Sequence, residues 1–209
     1  MEWLFEPKKR TKQPKARFLR KISELTSKMY PEITDFHTHN LHAKHAIINV
    51  PKEWLLQPTL FAPQGDAVYS VGIHPWWTEN VAEIEKMLHN MPRLLLHPQV
   101  VAVGECGLDA LRGAVLPQQI EVFKAQIKMA EVAQLPVTLH VVRCYDRILQ
   151  LHKWLRPTTQ WTVHGFRGKP ILAQQLLQAG IDLSFGMHRN EESWQITPPH
   201  RRHVESDES

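Results

Sequence analysis

The stretch Ile33-Thr-Asp-Phe-His-Thr-His39 ends a short apolar run with two histidines two residues apart. In an extended strand, residues i and i+2 lie on one face. A strand over 33–39 therefore points His37 and His39 the same way, able to close on one metal ion, with Phe36 and Thr38 on the opposite side. Taken alone, such a pair also suits satisfied core or surface imidazoles. The reading is decided by what recurs downstream.

Further short apolar runs end in the same kind of residue. Val68–Ile73 runs into His74-Pro-Trp-Trp77, Val100–Val103 into Gly104-Glu105, Pro136–Leu139 into His140, and Trp161–Val163 into His164. Ala46–Val50 and Ile181–Phe185 read as further strands. Between them lie helical patterns: a segment capped by Thr78 and reaching about Leu88; Gln118–Gln134, with Ile120, Phe123, Ile127, Ala130 and Val132 as its apolar stripe; Tyr145–Leu155; and Lys169–Ala179, stopped by Gly180. Strands alternating with helices predict βα units around a parallel sheet. Metal-binding residue types at the C-terminal ends of successive strands occupy the place where a (β/α)8 barrel puts its active site. Unpartnered imidazoles and carboxylates buried there would each cost several kcal/mol, and metal ions would supply the partners. His42 and His45 read as loop residues, and residues from Glu191 onward as a tail that includes a last strand around Val204.

The 209 residues suit one domain, 31–209, preceded by an arm over residues 1–30. The net charge of +4 belongs to that arm: it holds nine of the 25 Lys and Arg against three of the 21 acidic residues, leaving the rest of the chain at −2. Phe18, Ile22, Leu25 and Met29 recur at helical spacing within it, and its basic residues suit phosphate neutralisation. No apolar run approaches the roughly 20 residues of a membrane span, nor is a secretory h-region present at the start. The expectation is a cytoplasmic monomer with no membrane partner, in which Cys106 and Cys144 are reduced thiols.

Asp35-Phe-His-Thr-His39, Val71-Gly-Ile-His-Pro75, Val103-Gly-Glu-Cys-Gly-Leu-Asp109, Leu135-Pro-Val-Thr-Leu-His140, His164-Gly-Phe-Arg-Gly168 and Val204-Glu-Ser-Asp207 together resemble the signature of the TatD family of metal-dependent deoxyribonucleases, within the amidohydrolase superfamily. The resemblance implies a TIM-like (β/α)8 barrel, up to two divalent ions (Zn2+, Mn2+ or Mg2+), and hydrolysis of DNA, single-stranded or from a 3′ end. It further implies that His37, His39 and Asp207 hold one metal, His140 and His164 the other, and that Glu105 bridges them. Asp207 would orient the attacking water and take its proton, and His74 would touch the scissile phosphate. Trp76 or Trp77 could stack on a base, and Arg143 could meet a phosphate.

Two departures accompany the resemblance. Only two residues follow Glu205-Ser-Asp207, so the barrel is expected to end without its last helix. Arg17–Met29 is expected to cover the β8–β1 seam instead. The segment between His39 and Val68 is short, with only Pro51–Leu60 available as a covering helix, which would leave the site open. Two other readings stand beside the nuclease: a small-molecule amidohydrolase of the same superfamily, and a catalytically inactive barrel that binds nucleic acid.

Overall fold

The computed structural model of the chain describes residues 33–207. The basic arm, the segment Arg17–Met29 and the seam packing expected of it lie outside the described residues. Eight strands form one sheet in chain order: β1 (Asp35–Thr38), β2 (Ala46–Asn49), β3 (Val68–Val71), β4 (Val100–Asp109), β5 (Val137–Val142), β6 (Trp161–Val163), β7 (Asp182–Phe185) and β8 (Arg202–Val204). Every neighbouring pair is parallel. The ring is drawn nearly closed by the residues after β8. Asp207 N–H donates to the His37 carbonyl at 3.0 Å, while Ser206 N–H and Oγ donate to the two carboxylate oxygens of Asp35 at 3.0 and 2.6 Å.

The helices are α1 (Lys52–Leu56), α2 (Val81–Leu95), α3 (Leu116–Ala133), α4 (Tyr145–Leu155), α5 (Pro170–Gln178) and α6 (Glu191–Ile196), so one helix follows each of β2 to β7. The fold is α/β, a (β/α)8 barrel in which no described helix follows β1 or β8. Strands buried on both faces, such as Val68–Val71 and Asp182–Phe185, sit between the barrel interior and this helical layer. No described helix is long and apolar enough to cross a membrane.

Several sequence expectations shift. Thr78 does not cap α2. Its Oγ1 donates to the Pro75 carbonyl at 2.5 Å and closes a short 3-10 turn over Pro75–Trp77. The cap is Asn80, whose Oδ1 accepts from Glu83 N–H at 3.3 Å. The helix then continues past Leu88 and through Pro92 to Leu95, because Met87, Met91, Leu94 and Leu95 extend its buried face. The Pro51–Leu60 segment divides into α1 and a 3-10 turn at Pro58–Leu60, where Pro58 cannot donate to a continuing helix. Glu191–Ile196, read as tail, is a helix capped by the Asn190 side chain.

The α3 stripe is also different from its reading. Val132 is 82% exposed, since two residues beyond the buried Ala130 turn it some 200° away. Two glutamines, Gln119 and Gln126, are buried in the stripe instead. Gln126 Oε1 accepts Ile73 N–H at 2.6 Å and its Nε2 donates to the Ile73 carbonyl at 3.1 Å, pairing the backbone just before His74. Gln119 does the same for Asp109, accepting from its N–H at 2.8 Å and donating to its carbonyl at 2.9 Å. Helix α3 thereby pins the ends of two strands that carry site residues.

Gln126→Leu keeps the apolar stripe but strands both polar groups of a buried peptide. Each unpaired group costs about 1–3 kcal/mol. Urea unfolding is expected to show a loss of at least about 2 kcal/mol, and an unchanged midpoint would show that water replaces the glutamine.

Candidate metal centre

Glu105 lies within β4, reached through Gly104 by a cis peptide bond. Its N–H donates to Asn49 Oδ1 at 2.7 Å, and that oxygen also takes the Ser70 hydroxyl at 3.2 Å, so β2 and β3 fix the carboxylate from one side. From the other side β5 comes very close. A Cβ on Gly107, at φ 148°, would overlap the His140 carbonyl oxygen, so glycine is required for β4 to bring Glu105 beside His140.

Five imidazoles meet this one carboxylate. Oε2 lies 3.2 Å from Nε2 of both His37 and His39. Oε1 lies 3.2 Å from His74 Nε2, 2.6 Å from His140 Nδ1 and 2.7 Å from His164 Nε2. Asp207 Oδ1 stands 3.8 and 3.9 Å from Nε2 of His37 and His39. All seven residues singled out in the sequence therefore come together at the C-terminal ends of the strands. His42 and His45 stay exposed in the β1–β2 loop, as read.

Partners on the far side of each ring sort the histidines. His74 Nδ1 accepts Trp76 N–H at 3.1 Å, so in the neutral ring the proton is on Nε2, which faces Glu105 as a donor. His140 Nε2 faces Asp109 Oδ2 at 3.3 Å, which leaves its Nδ1 lone pair for the centre. His164 Nδ1 faces Glu205 Oε1 at 3.4 Å, which leaves Nε2. A carboxylate behind an imidazole is the arrangement that orients metal-ligating histidines. His74, His140 and Glu105 are close enough to share an ion, but the bond from Trp76 makes His74 a hydrogen-bond donor and not a ligand.

The donor set suits a divalent cation. The ligand atoms of His37, His39 and Glu105 lie within 4.8 Å of one another, as do those of His37, His164 and Asp207. His37 and Glu105 are buried, and neither His37 ring nitrogen nor Glu105 Oε2 has a hydrogen bond with good geometry in the protein. Imidazole and carboxylate together are the ligands of Zn2+, Mn2+ and their neighbours.

Electrostatics match. Burial alone would raise the Glu105 carboxyl, but the charge of His164 and hydrogen bonds from His140 and His164 hold it well below the usual carboxylate range. Burial alone would lower His164, yet Glu105 and Glu205 push it well above the usual histidine range. His74 moves down, chiefly through desolvation.

Sequence reasoning missed the ring behind the ligands: Asp109, Glu205, Asn49 and the two glutamines. Asp109 and Glu205 did stand inside the quoted motifs, and their carboxylates beside a ligand position were the available signal. Nothing local marked Asn49, Gln119 or Gln126.

A family profile described as TatD related DNase matches residues 47–208. The chain belongs to that family. A 3'-5' ssDNA/RNA exonuclease TatD from Klebsiella pneumoniae (strain 342) is 37% identical over 118 residues, covering 54% of this chain and 43% of the relative. The protein of that name from Musicola paradisiaca (strain Ech703) is 34% identical over 120 residues, with the same coverage. The match thus spans under half the length of these curated relatives. Among solved structures, the YJJV TatD homologue from Escherichia coli superposes with a TM-score of 0.64 at 24% identity, over 78% of this chain and 66% of that one. A TatD-family hydrolase from Entamoeba histolytica gives 0.65 at 20%, over 86% and 74%. Both likenesses establish the barrel fold.

The pKa directions set a pH signature. A raised His164 stabilises the metal-free fold fully below about pH 6.5, its unfolded value, and this is lost as pH rises through the folded value. A lowered Glu105 stabilises above about 4.5 and is lost as pH falls through its folded value. In EDTA the melting temperature is therefore expected to decline from pH 6.5 to 9. Stabilisation by added Zn2+ or Mn2+ should grow over the same span, because ligation displaces protons. Parallel pH profiles with and without metal would refute this proton–metal competition.

Proposed function

We propose that this chain is a metal-dependent phosphodiesterase acting on single-stranded DNA or RNA from a 3′ end. The observation that carries the reading is the convergence of five imidazoles on one buried carboxylate in a member of a nuclease family. The strand preference and direction follow the names of the curated relatives.

In this reading His37, His39 and Asp207 would hold one divalent ion and His140 and His164 a second, with Glu105 available to both. Bound cations there would activate water and neutralise charge developing on the phosphoryl oxygens. The protein's own groups supply position and protons. Glu105 remains ionised at working pH and carries no proton. Asp207, at the solvent-facing edge with its side chain 35% exposed, is placed to orient the attacking water and take its proton. Its position depends on the neighbouring Ser206–Asp35 hydrogen bonds. His74 presents Nε2–H inward and can donate to a phosphate oxygen where negative charge grows. Asp109 and Glu205 keep His140 and His164 in the tautomers that leave a lone pair for the centre. Residues 31–209 form the catalytic unit in this reading, and the basic arm adds affinity for phosphates.

Glu105→Ala is expected to lower hydrolysis of end-labelled single-stranded DNA by more than about a hundredfold, beyond the 10–100-fold typical of a residue that acts only behind a ligand. Circular dichroism should remain native. His140→Ala and His164→Ala should each lower metal content measured by mass spectrometry. Full activity in a folded Glu105→Ala protein, or unchanged metal content in both histidine variants, would remove the ligand assignment.

A further inference from the structure

The loops leaving adjacent strands at the catalytic face share a feature that the metal centre does not use. The loop after β4 carries Arg112, the turn after β5 carries Arg143, and the loop after β6 carries Arg167, all exposed. The loop after β7 adds Arg189, which is partly neutralised by Glu191 at 3.2 Å. Residues 31–209 as a whole are slightly acidic, so this rim is a local concentration of positive charge.

Two details of the rim bear on its use, although the first, a left-handed arginine, recurs away from the rim at Arg156, φ 49°. Arg143 adopts φ 53°, a left-handed conformation that arginine rarely takes and that glycine or asparagine would fill without strain. The guanidinium of Arg112 stacks 4.5 Å over the ring of Trp76, which is 43% exposed and held by its Nε1–H to Asp109 Oδ2 at 2.6 Å. Asp109 in turn faces His140. A flat aromatic surface thus stands beside the centre, anchored to a carboxylate behind one of its histidines.

We infer that this rim is the track for the substrate strand: a base lies against Trp76 and Arg112, and successive phosphates run over Arg143 and Arg167 toward Arg189. Neighbouring strands are about 4.8 Å apart, so the arc from β4 to β7 spans on the order of 15 Å. That length accommodates about two or three phosphates, since successive phosphates of one strand lie farther apart than the roughly 3.4 Å axial rise of a helix. An aromatic platform joined to a line of cations binds single-stranded nucleic acid with little sequence preference. Among the described residues the opposite arc shows no such line of arginines: Lys52, at the start of α1, is tied to Glu83 at 2.5 Å, and the residues after β8 carry Asp207.

The inference rests on the nuclease reading for its substrate, and its test separates the two. Fluorescence anisotropy would follow a labelled oligothymidylate 12-mer in EDTA, where nothing is cut, across a salt series. Steady-state KM on the same oligonucleotide would follow with Mn2+. Arg143→Gly combined with Arg167→Ala removes two charges and relieves the left-handed strain, so the melting temperature should hold or rise. Binding at low salt should weaken roughly tenfold or more, and the salt slope should fall by about 1.4, the value for two phosphates on a single strand. Lys128→Ala with Lys153→Ala removes two charges from exposed helical positions away from the rim and should leave both unchanged. Arg167→Ala alone, on an exposed loop, carries the test if the double variant does not fold. Equal losses in the arginine and lysine variants, or no loss in either, overturn the track. Loss confined to the arginine variant, with no phosphodiester cut by wild-type protein under any metal, sustains the track and removes the nuclease reading.

Discussion

Glu105 is an ionised carboxylate with about 2% of its surface open to water, and the barrel is arranged around making that tolerable. A charge taken out of water costs several kcal/mol unless it is paired and hydrogen-bonded. Here β2 supplies Asn49 to the adjacent amide, β1 brings His37 and leads into His39, β5 brings His140, His164 follows directly on β6 and His74 lies three residues beyond β3. Each of these segments has to bring its imidazole to the same depth. The glycines of β4, the buried glutamines of α3 and the register of β4 against β5 all serve that convergence.

A second ring, of carboxylates and backbone partners, gives the imidazoles unequal roles. Without Asp109, Glu205 and the Trp76 amide, five histidines around a carboxylate would be chemically alike. With them, His140 and His164 each turn one ring nitrogen to a carboxylate and the other to Glu105, and His74 turns a proton inward. The same ring ties the centre to the surface, because Asp109 holds Trp76 and also accepts from the backbone of Leu111 and Arg112 at 2.7 and 3.1 Å. The loop that carries a rim arginine is thus built on the carboxylate behind His140.

Closure of the ring depends on the residues after β8. Strand β8 has only three residues, and its last, Val204, is half exposed. The bonds from Ser206 to Asp35 and from Asp207 to the His37 carbonyl hold the end of the described chain against β1. Asp35 therefore lies two residues before one ligand candidate while fixing the backbone that presents another.

The sequence by itself determined the alternation of strands and helices, and with it the parallel barrel. It also marked six of the seven residues that gather at the site, because apolar runs ending in His or Glu carry a local signal, while Asp207 was marked only by the family resemblance of Val204-Glu-Ser-Asp207. It did not determine where α2 starts, since the short turn of Pro75–Trp77 takes up Thr78 before a helix can use it. Apart from the family resemblance, nothing in it separated His74 from His140, which look alike after an apolar run. Their difference lies in what stands behind each ring, 2 residues away in one case and 31 in the other. Asn49, 56 residues from the amide it accepts, and Gln126, 53 residues from Ile73, carry no local pattern at all. Only the nearly closed ring brings such groups within hydrogen-bonding reach, because a buried polar atom takes its partner from whichever segment tertiary packing sets beside it.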